Sequence, residues 1–197
     1  MFALVESGSI TKMLSGSRGI TIGDNQYPRA IYTLWTEAER NAINIYTVEI
    51  DETNKKDEKW YINTDITYAF GSGKVTGSYG SATAKAHADA NAVDENGDEL
   101  DPVVVIEGLK TQLIRTVKSQ AAGELNRTDW YITRKSEKNT AIPSAITTHR
   151  DAVRSKQAAM ETAITNASDT PALETLHTYT RDSDGVYSRP LGVIPTL

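Results

Sequence analysis

The spacing of apolar positions changes partway along the 197 residues. Up to about Tyr79 they come in short runs rich in β-branched and aromatic residues, the signature of strands. Phe2 to Met13 alternates in part and carries the turn signal Ser7-Gly8-Ser9, which predicts a small hairpin. Gly23-Asp24-Asn25-Gln26-Tyr27-Pro28 reads as a loop, and Ile31 to Leu34 as a short extended run. Thr36-Glu37-Ala38-Glu39 spells a capping box: the threonine can accept from the amide of Glu39, whose carboxylate can reach back. A brief helix follows, and Asn44 stands where a left-handed residue would end it. Ile45 to Ile50 is a strand candidate, Asp51 to Lys59 a polar turn. Trp60 to Phe70 and Lys74 to Tyr79 form two further strands around Gly71-Ser72-Gly73. Residues 1–80 are therefore expected to form a small antiparallel β unit with one short helix.

Residues 81–100 are first Ala-rich and then acidic, and read as a linker. Beyond it the period becomes helical. Asp101-Pro102 resembles an N-cap followed by proline at the first helical position. Leu109, Leu113, Val117, Ala121 and Leu125 then recur every four residues. Asn126-Arg127-Thr128-Asp129 ends that helix, and Trp130, Tyr131 and Ile132 follow as a bulky cluster at a corner. A second helix is expected from about Thr140 to Asn166, with Ile142, Ile146, Val153, Met160 and Ile164 inward and a polar exposed side including Lys156. Thr170-Pro171 opens a third, carrying Leu173 and Leu176. Short loops favour an antiparallel αα-hairpin over residues 101–180. Residues 181–197 read as an extended tail, whose Val193, Ile194 and Leu197 imply docking onto its own fold or a partner. The fold class is α+β.

Composition mainly excludes. Cysteine is absent, which removes disulfides, thiolate nucleophiles and cysteine-based metal sites. No apolar run approaches the length of a bilayer span, and Met1-Phe2-Ala3-Leu4-Val5-Glu6 lacks the basic region of a signal peptide. Charge is uneven: residues 1–100 hold 15 acidic and 9 basic side chains, whereas Lys110 to Lys156 holds 10 basic and 4 acidic. Those cations are spread along helices without interleaved Gly-aromatic motifs, so nucleic acid is not the expected partner.

Catalytic patterns fail on spacing. Gly71-Ser72-Gly73-Lys74 would need Gly at Tyr68 and Ser or Thr at Val75 to be a phosphate loop. His149-Arg150-Asp151 lacks the metal-binding Asn of a kinase loop, where Lys156 stands. Asp94, Asn96 and Asp98 alternate like calcium ligands, but Gly97 is misplaced and Val105 replaces the closing Glu, leaving a solvated turn. His87, His149 and His177 have no i, i+4 spacing, and no Gly-x-Ser-x-Gly elbow accompanies them. No catalytic residue, metal site or cofactor is expected.

Two stretches resemble bacteriophage tail proteins. Leu34-Trp35-Thr36-Glu37-Ala38-Glu39-Arg40-Asn41-Ala42-Ile43-Asn44-Ile45-Tyr46-Thr47-Val48, followed by Trp60-Tyr61-Ile62 and Lys74-Val75-Thr76-Gly77-Ser78-Tyr79, is similar to small N-terminal modules of phage tail-fibre-associated proteins, with Asn44 replacing the usual Gly. Leu125-Asn126-Arg127-Thr128-Asp129-Trp130, then Ile142-Pro143 and His149-Arg150-Asp151-Ala152-Val153-Arg154, resembles the phage tail assembly chaperone family, with His149 for Tyr and Val153 for Leu. The pattern suits an αα-hairpin whose corner is closed by Trp130 and capped by Thr128 or Asp129.

The resemblance implies a structural or tail (fibre) assembly protein of a phage tail, acting by protein–protein contacts in the virion or in the host cytoplasm during assembly. Its partners would be other tail or virion proteins, with a homo-oligomer as an option and no membrane. Trp35, Trp60, Trp130, Arg150 and Arg154 are the candidate contacts, because Trp and Arg anchor interfaces. The alternative is a capsid or neck decoration or connector protein. A small enzyme, the third class, would need a pocket gathering His149 or His177 with carboxylates.

Overall fold

The structure, a computed structural model, describes residues 1–197. It has both strands and helices and is α+β, with an N-terminal curled sheet followed by C-terminal helices. The chain divides into two compact units, Met1–Thr83 and Ala84–Leu197.

The first unit opens with the expected hairpin, β1 (Phe2–Glu6) and β2 (Ser9–Leu14). Ser7 and Gly8 both take positive φ, the pairing that matches the twist of antiparallel strands. The Gly23 segment is itself the turn of a second hairpin, β3 (Ile20–Ile22) with β4 (Asn25–Tyr27). Ile31–Leu34, expected to be extended, is a single helical turn, α1, with Ile31 and Tyr32 buried. The unit thus has two short helices, not one. The second, α2 (Glu37–Asn41), carries the predicted box: the Glu39 amide donates to Thr36 Oγ1 at 3.3 Å and the Thr36 amide to Glu39 Oε2 at 2.7 Å. Asn44 then turns the chain at φ 62° into β5 (Ile45–Asp51).

The main sheet also contains β7 (Ile66–Gly71) and β8 (Lys74–Tyr79), which follow the two-residue β6 (Tyr61–Ile62), and its order is β2-β1-β5-β8-β7. It is mixed rather than purely antiparallel. β7 and β8 form the predicted hairpin over Ser72 and Gly73, but β8 runs parallel to β5, pairing Val48 with Val75. The polar connection after β5 passes over one strand position before β7 begins, and β8 returns into the vacant slot. Both faces of β1 are used. Phe2 and Leu4 pack with Ile31, Tyr32 and Ile45, while Ala3 and Val5 pack with Val75, Tyr46 and Phe70.

At the boundary lies a two-residue strand, β9 (Thr83–Ala84). In the second unit, β10 (Ala90–Asn91) pairs antiparallel with β11 (Val105–Ile106), and Val93 bridges to Glu99. The following helix, α3 (Leu109–Asn126), begins seven residues later than the Asp101-Pro102 signal suggested, with Gly108 rather than Asp101 at its N-cap. Its first amides find acceptors in the segment read as a linker: Leu109 donates to the Ala86 carbonyl and Lys110 to that of His87, both at 3.0 Å. Asp89 completes the start, taking the Gly108 amide at 2.8 Å and the Thr111 hydroxyl at 2.8 Å. The Gly108 amide first, then the Thr111 hydroxyl, hold the Asp89 carboxyl below the usual carboxylate range. A local Asp-Pro pair could not offer this set of acceptors, so the tertiary cap fixes the start.

The αα-hairpin consists of α3 and α5 (Ser144–Asn166), whose inward residues include the expected Val117, Ala121, Val153, Met160 and Ile164. Lys110 Nζ donates to the Thr165 carbonyl at one end, and His149 faces Glu124 at the other, so the helices are antiparallel. Between them lies α4 (Asp129–Lys138), a helix where the sequence suggested only an apolar corner. Asn139 ends it in the left-handed conformation at φ 52°. Next, α6 (Thr170–His177) has Asp169 at its N-cap, accepting the Ala172 amide at 2.8 Å. A small ribbon, β12 (Thr180–Arg181) with β13 (Tyr187–Ser188), precedes the final stretch. No helix is long and apolar enough to cross a membrane.

Candidate functional site

The polar side chains with the most built surroundings gather where α3, α4 and α5 meet. Thr128 is buried at the corner after α3, and its hydroxyl donates to the Leu125 carbonyl at 3.0 Å. Arg150 enters from α5 and shares Nη1 among the Leu125 carbonyl, Thr128 Oγ1 and Asp129 Oδ1, at 2.8, 2.7 and 2.8 Å. The guanidinium satisfies the Leu125 carbonyl at the end of α3 and ties it to the Thr128 hydroxyl and the Asp129 carboxylate at the start of α4. Thr128 makes no side-chain cap to the amides of α4, so the corner is tied by Arg150 rather than by a cap.

One turn away, Glu124 is buried on the face of α3 that meets α5. Its Oε1 lies 3.1 Å from His149 Nε2 and accepts the Leu197 amide at 2.9 Å, while Arg127 donates to Oε2 at 3.0 Å. Burial alone would raise this carboxyl. The Leu197 amide, Arg127 and His149 outweigh it, and the group titrates below the usual carboxylate range. The tail is therefore docked onto its own unit, one of the two seats its apolar content left open. Leu191 is buried and donates its amide to the Leu176 carbonyl at 3.0 Å. A groove of about 410 Å³ runs beside this tail, lined by Gln120, Gly123, Glu124, Arg189, Val193, Ile194 and Thr196.

The proposed contact residues fall into different environments. In the first unit, Trp35 is half-buried against the β1 core, edge-on to Tyr27 at 6.0 Å between ring centroids. Trp60 is 3% exposed, under the Lys59 ammonium at 4.3 Å, and is a core residue. In the second unit, Arg150 is buried in the corner joint. Trp60 and Arg150 therefore leave the set of surface contacts. Arg154 is exposed and pairs with Asp151 at 3.3 Å, one turn from Arg150 but without sharing its partners. Trp130 is 52% exposed on α4, rather than closing the corner. It stacks on Tyr131 at 3.8 Å, and the Arg134 guanidinium lies 4.7 Å from one ring and 5.2 Å from the other.

Among the histidines, His149 does meet a carboxylate, but both oxygens of Glu124 are engaged in holding the tail and Arg127. His177 Nδ1 lies 2.8 Å from the Leu173 carbonyl of its own helix. The Asp94 carboxylate is spent on the amides of Asp98 and Asn96, which hold it below the usual range. Sequence reasoning missed Glu124 and Asp89. A carboxylate falling among the apolar stripe between Ala121 and Leu125 was the available signal for the first; the second acts across 19 residues and left none.

Protein-family models, curated proteins and solved structures were all compared with the chain, and none matches.

Proposed function

We propose that the chain is a bacteriophage tail-associated structural or tail (fibre) assembly protein, working by contacts with other tail or virion proteins and not as an enzyme. The observation that carries the contact role is the run Val103, Val104, Val105 and Ile106, every member of which is at least 50% exposed. Contiguous aliphatic surface leading into an edge strand, here β11, is what folded chains ordinarily cover or interrupt, and it marks a place for a partner. Exposed Trp130, backed by the half-buried Tyr131 and Arg134, adds a second such surface.

The phage context rests on the motifs around Trp35 and Leu125. One feature supports treating the second motif as a unit: Leu125, Thr128, Asp129 and Arg150, all within the phage-like pattern, share one hydrogen-bonded joint. The test is mass spectrometry of purified virions combined with deletion of the gene. Fixed stoichiometry in the particle supports a component of the tail. Absence from the particle with defective tails on deletion supports an assembly role. Intact, infectious particles without the chain overturn the reading, and labelled imaging that places it on capsid or neck favours a decoration or connector protein.

A further inference from the structure

The second unit carries two exposed surfaces of complementary character that its own fold leaves uncovered. On α4, Trp130, 52% exposed and backed by the half-buried Tyr131 and Arg134, and Ile132, 43% exposed, are followed by Lys135 and Lys138. Both lysines are exposed, and neither forms an ion pair within 4 Å. The other surface is the ribbon between β10 and β11. Asp94, Glu95, Asp98, Glu99 and Asp101 are exposed there with no Lys or Arg among residues 94–101. After Pro102 come the exposed aliphatics Val103 to Ile106, the last two of which form β11, a strand paired along one edge only.

We infer that these two surfaces bind each other between copies of the chain, the α4 face of one copy taking the acid-and-aliphatic ribbon of the next. Charge complementarity selects this occupant. Lys135 and Lys138 lack carboxylates, the ribbon carboxylates lack cations, and no hydrogen bond or ion pair links the two within one chain. The order of residues agrees. Along α4 aromatics precede cations, and along the ribbon carboxylates precede aliphatics. An antiparallel lay therefore sets Trp130 on Val103–Ile106 while Lys135 and Lys138 face Asp94–Asp101. The stack held by Arg134 is preorganised, so little side-chain freedom is lost when it is covered. Each copy would use two different patches, so the contact closes as a two-fold dimer where both pairs meet at once and otherwise builds rings or open arrays. This names one partner within the contact role proposed above, and it is tested on the purified chain independently of whether virions contain it.

The test uses sedimentation and light scattering of the full chain and of two charge-reversed variants, Lys135→Glu/Lys138→Glu and Glu95→Lys/Asp98→Lys. The substituted side chains make no hydrogen bond that holds the fold, and circular dichroism checks each variant. The wild-type mass should rise with concentration and fall at high salt, with each variant weakened at least about tenfold and growing no chains. Trp130→Ala should also associate more weakly than wild type. The quadruple variant, with both charges exchanged, should associate again. A wild-type chain that stays monomeric up to about 1 mM at low salt overturns the inference. So does a quadruple variant that remains as weak as its parents. Virion incorporation with a monomeric purified chain would leave the tail role standing and remove this contact.

Discussion

Arg150 Nη1 donates to Thr128 Oγ1 at 2.7 Å, joining the middle helix corner to α5 across 22 residues of sequence. The same nitrogen reaches the Leu125 carbonyl and the Asp129 carboxylate. Removing the guanidinium leaves the Thr128 hydroxyl and the Leu125 carbonyl paired only with each other and with local amides, and takes the charged donor that ties α5 to both and to Asp129. Arg150→Ala should cost about 3 kcal/mol in urea unfolding, and Arg150→Lys should recover only part, because the shorter lysine side chain does not carry its ammonium to the position of Nη1. Asp129→Ala should cost under about 1 kcal/mol, since that carboxylate is half exposed. An unchanged midpoint for Arg150→Ala would show that the corner holds without the joint.

The tryptophans separate by the same logic. Trp60 is 3% exposed and Trp130 is 52% exposed. Trp60→Ala should destabilise by about 3–5 kcal/mol through the lost burial and the cavity left behind. Trp130→Ala should stay within about 0.5 kcal/mol, because solvent already reaches the ring. Thermal or denaturant unfolding of the two variants side by side decides this. Equal losses would mean that Trp130 packs into the fold.

Features written within a few residues were legible in the sequence. The Thr36–Glu39 box, the left-handed Asn44, the Ser72-Gly73 turn and the four-residue stripe of α3 each depend on local geometry alone. What could not be read depended on distant groups. The parallel pairing of β5 and β8 arises because a loop passes over a strand position, and alternation of side chains is the same in parallel and antiparallel ladders. Asp101-Pro102 offered a local cap, but the carbonyls of Ala86 and His87 with the Asp89 carboxylate start α3 instead. Trp130, Tyr131 and Ile132 are contiguous rather than periodic, so α4 gave no helical signal. Arg150 and Arg154 share helical spacing yet differ in burial, because only Arg150 meets the end of α3.

Gly108 offers a sharper test of the tertiary start of α3. A Cβ at this position would run into the backbone of Ala88, which cannot move without disturbing the Ala86 and His87 carbonyls that cap the helix. Gly108→Ala should therefore cost about 3 kcal/mol, although φ at this residue is an ordinary −78° that alanine tolerates. Asp89→Asn should be milder than this, because the carboxamide oxygen can still accept the Gly108 amide. Amide exchange at Leu109 and Lys110 should rise in both variants. Unchanged protection in Gly108→Ala would place the constraint elsewhere.

Acid should release the tail before it unfolds the hairpin. The folded Glu124 carboxyl lies below its ordinary value because the Leu197 amide, Arg127 and His149 favour the anion against the cost of burial. A depressed carboxylate contributes stability that is fully present above its unfolded pKa and is lost as pH falls through the folded one. The tail contact should therefore hold at neutral pH and weaken below about pH 4. Hydrogen exchange at the Leu197 amide, followed against pH, reads this directly, with amides in the middle of α3 and α5 as the internal reference. Glu124→Gln should flatten the acid dependence, since a carboxamide does not titrate, and Glu124→Ala should expose the amide at every pH. Protection at Leu197 that persists to the acid unfolding of α3 would mean that the seat of Leu191, not Glu124, holds the tail.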